Sequence, residues 1–494
     1  MEKVAIIELN ERGLSLSIYK VSNGKSMLAL SKTQYYDIGK EIEAVELLSP
    51  KMKNDILSML KIYRKLIEEY GVSKIYAVSS NIIVRARNYR GIFDEIYNNT
   101  GLNFSILSDE EYIKYLFNAV VNSIDSAKGV FLHIGANACY LVRYNRRAIL
   151  SSTIIPVGTY NIQEKYADID QMTDAIKKNI ASKVALSKIE EECKVVATGI
   201  SFLAMGKIAK KVQRYSLDID NNYLLTGQIM EKTCQFIKSV DVDKIKKIKG
   251  IDYEEADKIL VGFAFIRAFF DILDIKEVAV SCANLKSGIL QSNILNASQE
   301  RFNDLLSNSL ENYYEFNKDE FSINPYVYNM ATILFKQLKV MHKLPRFYVK
   351  PLRIAAFMYD CGKCINAESY TKYGFDKIVF SDIVGVSHRE ILIAGFICTC
   401  QNLDDFSLND WIKYKDILTD EDLDAVRKLG IIVKLAVALN ASRKPIITDI
   451  VCDILGDSII MKTVVEGDAS YEILEGMKVA QDYKKVYKKS LQII

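Results

Sequence analysis

The strongest constraint on this chain is a repeated strand–turn–strand pattern. Residues 4–21, VAIIELNERGLSLSIYKV, and residues 129–144, GVFLHIGANACYLVRY, each place two apolar runs around a short turn. Apolar, β-branched runs bounded by turn residues are the signature of hairpins. Each hairpin opens a stretch in which strand patterns alternate with helical ones, the arrangement of a layered α/β unit. Two copies in tandem make a bilobed α/β protein with a cleft between the two turns.

The second turn poses the chemical question. Gly135-Ala136-Asn137-Ala138 is a turn of small residues, and the backbone amides of such a turn can cradle a phosphate. Yet His133 stands where a metal-assisted phosphate site wants a carboxylate, because magnesium prefers oxygen ligands.

Periodicity extends both units. In the first, helices are predicted over residues 51–70 and 92–98 and strands over 74–79 and 104–107, with Ser108-Asp109-Glu110-Glu111 opening a further helix. In the second, strands are predicted at 195–198 and 277–280 and helices at 202–211 and 258–273, ending near residue 299. Beyond residue 302 helical periodicity dominates, and the last fifty residues turn mixed, with strands at 446–451 and 458–464 and a helix at 471–487. The expected domains are 1–120, 121–305, 306–445 and 446–494.

Composition narrows the function classes. The 494 residues carry a net charge of +3, which gives the whole protein no drive toward DNA or an anionic membrane. The N-terminus lacks the pattern of a signal peptide, and no uncharged apolar run is long enough to cross a bilayer. Nine cysteines in such a chain read as reduced thiols, so the expected location is cytoplasmic. Cys361-Gly362-Lys363-Cys364 is either a redox pair, half a zinc site or a pair of structural thiols; Cys398-Thr399-Cys400 has the wrong spacing for the other half.

Several strings resemble the Ppx/GppA family of exopolyphosphatases and guanosine pentaphosphate phosphohydrolases. They are ILSDEEYIKYLFNAV, RARNYRGIFDEIYNNTGL, GIDYEEADKILVGFAFI, VAVSCANLKSGIL, VGVSHREILIA, VKLAVALNASR and DYKKVYKKSLQI, in family order over nearly the whole chain. The resemblance implies two ribonuclease H-like (actin-like) lobes. A mostly helical domain resembling HD phosphohydrolases would follow, with a small α+β end. It implies polyphosphate or a guanosine polyphosphate as ligand, magnesium as cofactor if the protein is active, and a homodimer.

The resemblance also shows what has changed. The family's first turn, Asp-x-Gly-Ser-Asn-Ser, is Glu8-Leu9-Asn10-Glu11-Arg12-Gly13 here. Its serines have become Glu11 and Gly13, Asn10 replaces a glycine and can adopt positive φ, and Arg12 is a phosphate-binding candidate. The second turn, Asp-x-Gly-Gly-Gly-Ser-Thr-Glu, is His133 to Tyr140, with both acids gone and Gly135 and Asn137 left as candidates. Thr198-Gly199-Ile200-Ser201 matches Thr-Gly-Gly-Thr before a helix, so Thr198, Gly199 and Ser201 are candidates at a helix N-terminus. Glu111 aligns with the general base; Ser108 and Glu111 also spell a capping box.

In the last third only Asp360 and His388 remain of the HD-type ligands. Tyr359 and Asn440 replace two others, in a chain with three histidines. Two basic clusters, Lys244, Lys246, Lys247, Lys249 and Lys484, Lys485, Lys488, Lys489, are either a polyphosphate channel or solvated helix faces. The preferred reading is a non-catalytic binder. The alternatives are an active magnesium-dependent phosphohydrolase using Glu111, and a structural dimeric scaffold.

Overall fold

A computed structural model describes residues 1–162, 168–181, 193–240, 242–245, 247–248, 251, 258–294, 301–318 and 325–494. Lys246 and Lys249, the expected end of the second lobe near residue 299, and part of GIDYEEADKILVGFAFI lie outside the described residues. The chain forms two compact units, Met1–Leu305 and Leu306–Ile494.

The first unit contains the repeat as two lobes. In the first lobe, β1 (Glu2–Asn10), β2 (Gly13–Ser22), β3 (Lys25–Tyr35), β4 (Lys74–Ser79) and β5 (Phe104–Ile106) form a sheet in the order β3-β2-β1-β4-β5. In the second, the strands are β6 (Lys128–Ile134), β7 (Cys139–Asn145), β8 (Ala148–Ile155), β9 (Lys194–Thr198), β10 (Tyr223–Thr226) and β11 (Glu277–Val280). Their order is β10-β11-β9-β6-β7-β8. Both lobes thus have an antiparallel three-strand meander whose first strand pairs in parallel with the next. The expected actin-like lobes are present.

Each sheet is covered by helices whose apolar faces supply the core. In the first lobe the helix Pro50–Glu69 buries Ile56, Leu60, Tyr63 and Ile67 against Ile7, Leu14 and Leu16. In the second, the helix Ile259–Leu273 is apolar except for one face bearing Arg267 and Asp271, and fully buries Phe263, Phe265 and Phe269, as expected of a central helix. Near the end of the unit the chain returns to the first lobe. The helix Leu285–Ile294 places Leu285, Ile289 and Leu290 in one cluster with Val4, Ile6 and Val78. It also approaches the helix Asp109–Val121 so closely that a Cβ at Gly288 would lie 1.9 Å from the Tyr115 carbonyl oxygen.

In the second unit, helices that include Pro325–Gln337, Val349–Phe357, His388–Thr399 and Asp420–Ala438 pack together. A small sheet follows, β12 (Ile447–Leu455), β13 (Ser458–Val465) and β14 (Ser490–Ile493), in the order β12-β13-β14. The continuous helix expected at 471–487 is two, Ser470–Lys478 and Ala480–Tyr487. Among the described residues no helix is long and apolar enough to cross a membrane.

Candidate functional site

The two turns that open the lobes face one cavity of about 290 Å³. Its walls include Glu8, Arg12, His133, Gly135, Gly199 and Lys286.

The first turn is tight. Asn10 pairs with Gly13, leaving Glu11 and Arg12 at the tip. Gly13, not Asn10, takes the positive φ, +146°, and a Cβ there would lie 2.2 Å from the Gln34 carbonyl oxygen. The Asn10 side chain organises the turn: its Oδ1 accepts the Arg12 amide at 2.9 Å, and its Nδ2 donates to Glu8 Oε1 at 2.8 Å. Glu8 Oε2 lies 3.7 Å from Lys286 Nζ, which donates to Ser15 Oγ at 2.8 Å. Ser80 Oγ donates to the Glu11 carboxylate at 3.2 Å, and burial pushes the Glu11 carboxyl above its ordinary range. Arg12 Nη2 reaches across the cleft to Thr159 Oγ1 at 3.2 Å, with its guanidinium 6.0 Å from the Tyr160 ring centre.

The second turn is wider. Ile134 pairs with Cys139, so Gly135–Ala138 form the loop, and the Gly135 amide donates to Ala138 O at 2.9 Å. Its carbonyls are engaged by the short helix Thr159–Ile162: the Thr159 and Tyr160 amides donate to Gly135 O and Ala136 O at 3.2 and 2.9 Å. The same helix meets the first lobe, where Tyr160 Oη donates to Glu11 O at 3.5 Å and Asn161 Nδ2 to Glu43 Oε1 at 3.0 Å. Gly158 is a close approach, since a Cβ there would lie 2.2 Å from Ala136 O. Both polar atoms of the Asn137 side chain are buried without a hydrogen-bond partner.

His133 is buried in an aromatic box. Its ring stacks on Tyr140 at 5.9 Å, and Tyr112 lies 6.0 Å from His133 and 5.4 Å from Tyr140. Tyr140 Oη donates to Asp109 Oδ1 at 3.3 Å. Burial, reinforced by the Arg12 guanidinium, holds the imidazole down at about 4, so it is neutral at pH 7. Its Nδ1 is buried with no hydrogen-bond partner, and it lies 3.1 Å from where a Gly199 Cβ would stand. Gly199, with φ +106°, precedes the helix Ile200–Gln213, whose N-terminus has no side-chain cap. The first amides of a helix lack intrahelical partners and carry its positive dipole end.

Of the residues singled out from sequence, Arg12, Gly135, Thr198 and Gly199 line this cavity. The Thr198 hydroxyl faces two backbone acceptors, Ser281 O at 2.9 Å and Ala283 O at 2.5 Å. Asn137 and Ser201 are not in the lining; Ser201 is turned toward the helix Ile259–Leu273, where a Cβ at Gly262 would lie 2.3 Å from its Oγ. Glu111 is exposed and outside the lining. Its Oε2 accepts the Ser108 amide at 2.9 Å and the Ser108 hydroxyl at 3.0 Å, which completes the capping box. Sequence reading passed over Lys286 and Tyr112, though both lie in quoted strings. The usable signal for Lys286 was a lysine opening a helix just after a strand.

Magnesium does not fit this cleft as arranged. One Glu8 oxygen is held by an amide and the other faces an ammonium, which repels a divalent cation. The opposite wall offers a buried neutral imidazole, a poor ligand for a hard ion. Among the described residues no group of three His, Cys, Asp or Glu side chains is placed to hold a metal ion.

The second unit shows a parallel arrangement. Asp360 is buried, its Oδ2 3.1 Å from Lys363 Nζ and its Oδ1 without a hydrogen-bond partner. The Lys363 ammonium lies 5.8 and 5.1 Å from the Tyr359 and Tyr370 ring centres. His388 is buried at the first position of its helix, and Asn440 Nδ2 donates to Lys444 O at 2.8 Å. Cys361 is buried and Cys364 exposed, both as free thiols.

Comparison with known proteins places this geometry. The model of the Ppx/GppA phosphatase family matches residues 17–297. A bifunctional 3-dehydroquinate synthase/phosphatase of Fusobacterium nucleatum is 20% identical over 310 residues, covering 58% of this chain and 46% of that protein. The match therefore spans less than half of that curated relative. Among solved structures, a Ppx/GppA family member from Aquifex aeolicus superposes with a TM-score of 0.52 at 19% identity, over 59% of this chain and 97% of that one. An exopolyphosphatase from Cytophaga hutchinsonii gives 0.52 at 14% identity, over 59% and 98%. At these identities the structural likeness establishes the fold.

Proposed function

The chain belongs to the Ppx/GppA phosphatase family, and from that premise we propose that its cleft binds polyphosphate or a guanosine polyphosphate without hydrolysing it. The anion is met by the Arg12 guanidinium, by Lys286 and by the uncapped N-terminus of the helix Ile200–Gln213, all at one cavity. Guanidinium and ammonium groups form the strong charge-assisted bonds that phosphate oxygens accept, and helix N-termini favour anions.

One observation carries the non-catalytic part. Both carboxylates that would serve the chemistry are engaged: Glu8 by Asn10 and Lys286, Glu111 by its own helix cap. Phosphoryl transfer rests on positioning and charge neutralisation, with metal ions supplying much of the latter. The second unit, with Asp360 and His388 as its only retained ligand residues, acts as a structural support in this reading.

The test is phosphate release from long-chain polyphosphate with magnesium, for wild type and Glu111→Gln, alongside calorimetric titration with tripolyphosphate. The expected result is binding without release in both proteins. Release that requires both magnesium and Glu111 would overturn the proposal in favour of an active phosphohydrolase.

A further inference from the structure

We propose that Lys286 is the resident cation of this cleft, so that phosphate chains bind there without a divalent metal ion. The inference deepens the binding function proposed above and rests on it.

The ammonium is held in place from several sides. It donates to Ser15 Oγ at 2.8 Å and lies 3.7 Å from Glu8 Oε2, with the two side chains only 14% and 11% exposed. The remaining Glu8 oxygen is fixed by Asn10, so the carboxylate cannot turn away from the lysine without losing a hydrogen bond. The backbone under Lys286 is equally constrained. Leu285 on one side, and Ile289 and Leu290 on the other, are anchored in the core beneath β1, and Gly288 packs directly on the Tyr115 carbonyl. The lysine therefore belongs to a rigid wall of the cavity.

Its charge settles what the cleft can take up. A lone buried carboxylate beside an anion site would repel a phosphate chain, and a divalent ion is one way to reverse that sign. Here Lys286 neutralises Glu8 from within the chain. Arg12 stands beside Glu11, the second acid of the lining, so the two cations match the two acids and the helix N-terminus before Ile200 adds to the attraction. The residue opposite fits the same logic. With no divalent charge to offset, an acid at position 133 would oppose the anion, whereas the buried neutral His133 does not. Lysine suits the role because its compact ammonium has three donor protons: one goes to the Ser15 hydroxyl, the charge is balanced by Glu8 at ion-pair distance, and protons remain for a phosphate oxygen.

The experiment is calorimetric titration of the full chain with tripolyphosphate, in EDTA and in millimolar magnesium. Equal affinity in the two buffers, within about twofold, is expected. Lys286→Met should weaken binding in EDTA by at least about tenfold, while Lys286→Arg should keep most of it. Glu8→Gln, which releases the ammonium, should bind more tightly than wild type. Thermal melts of each variant identify any that fails to fold, and the Glu8→Gln comparison carries the test if Lys286→Met does. Binding that appears only with magnesium would overturn the resident-cation proposal and leave the binding function standing. No binding in either buffer would overturn both.

Discussion

The hairpin that opens the first lobe and the one that opens the second share a strand pattern and differ in what their turns hold. The first is a two-residue tip crowded with charge, where Glu8, Asn10, Glu11 and Arg12 are each tied to a named partner. The second is a four-residue loop of small side chains whose carbonyls are bound by the helix Thr159–Ile162. In the first turn Glu11 and Gly13 stand at the family's serine positions, and the charged side chains of Glu11 and Arg12 are each hydrogen-bonded to a hydroxyl. In the second the acids gave way to rings, and the rings stacked. Both turns depend on glycines at close approaches, Gly13 within the first and Gly158 against the second.

The comparison can be broken hardest at those glycines. Gly13→Ala combines a 2.2 Å clash with φ +146° and should destabilise the first unit by about 3 kcal/mol. Gly158→Ala meets a carbonyl at 2.2 Å without that dihedral and should destabilise somewhat less. Thermal melts that show neither variant destabilised would mean the turns are not held this way.

Acid separates the two turns next. The His133 contribution is fully present above its ordinary value of 6.5 and is lost as pH falls toward about 4, a change on the order of 2–3 kcal/mol. Glu11 runs the other way. Its contribution is fully present below the ordinary carboxyl value of 4.5 and is lost as pH rises through the raised one. His133→Gln should flatten the loss of stability between pH 6.5 and 4, and Glu11→Gln should raise stability most at neutral pH. A wild-type slope unchanged by His133→Gln would contradict the first assignment.

Ligand titration draws a finer line. Arg12→Ala should weaken tripolyphosphate binding by about tenfold, as loss of a charge-assisted contact does. Asn137→Ala, outside the cavity lining, should leave it within about twofold. Equal losses would place Asn137 in contact with the ligand. The smallest effect is expected from Glu111→Ala, about 1 kcal/mol of helix stability from the lost half of the capping box, with tripolyphosphate affinity unchanged.

Much of this arrangement was readable in the sequence because it is local. The apolar runs around both turns, the capping box at Ser108 and Glu111, and the helix after Gly199 all announce themselves within a few residues. The outer strands β3 and β8 do not. As edge strands they bury almost nothing fully, no residue in β3 and only Ile155 in β8, so the alternation that marks a half-buried strand is weak. The orientation of Ser201 was also hidden, since its turn toward Gly262 depends on a helix some sixty positions later. The role of Lys286 was hidden for the same reason, because its partners Glu8 and Ser15 lie at the other end of the unit.

That last separation has a consequence in time. Lys286 and Ser15 are 271 positions apart. A ribosome adding roughly 5–20 residues per second leaves the first hairpin waiting some tens of seconds for its ammonium. Through that interval Glu8 has no lysine to meet, and the lobe that emerges first is among the last parts of the unit to be electrostatically complete.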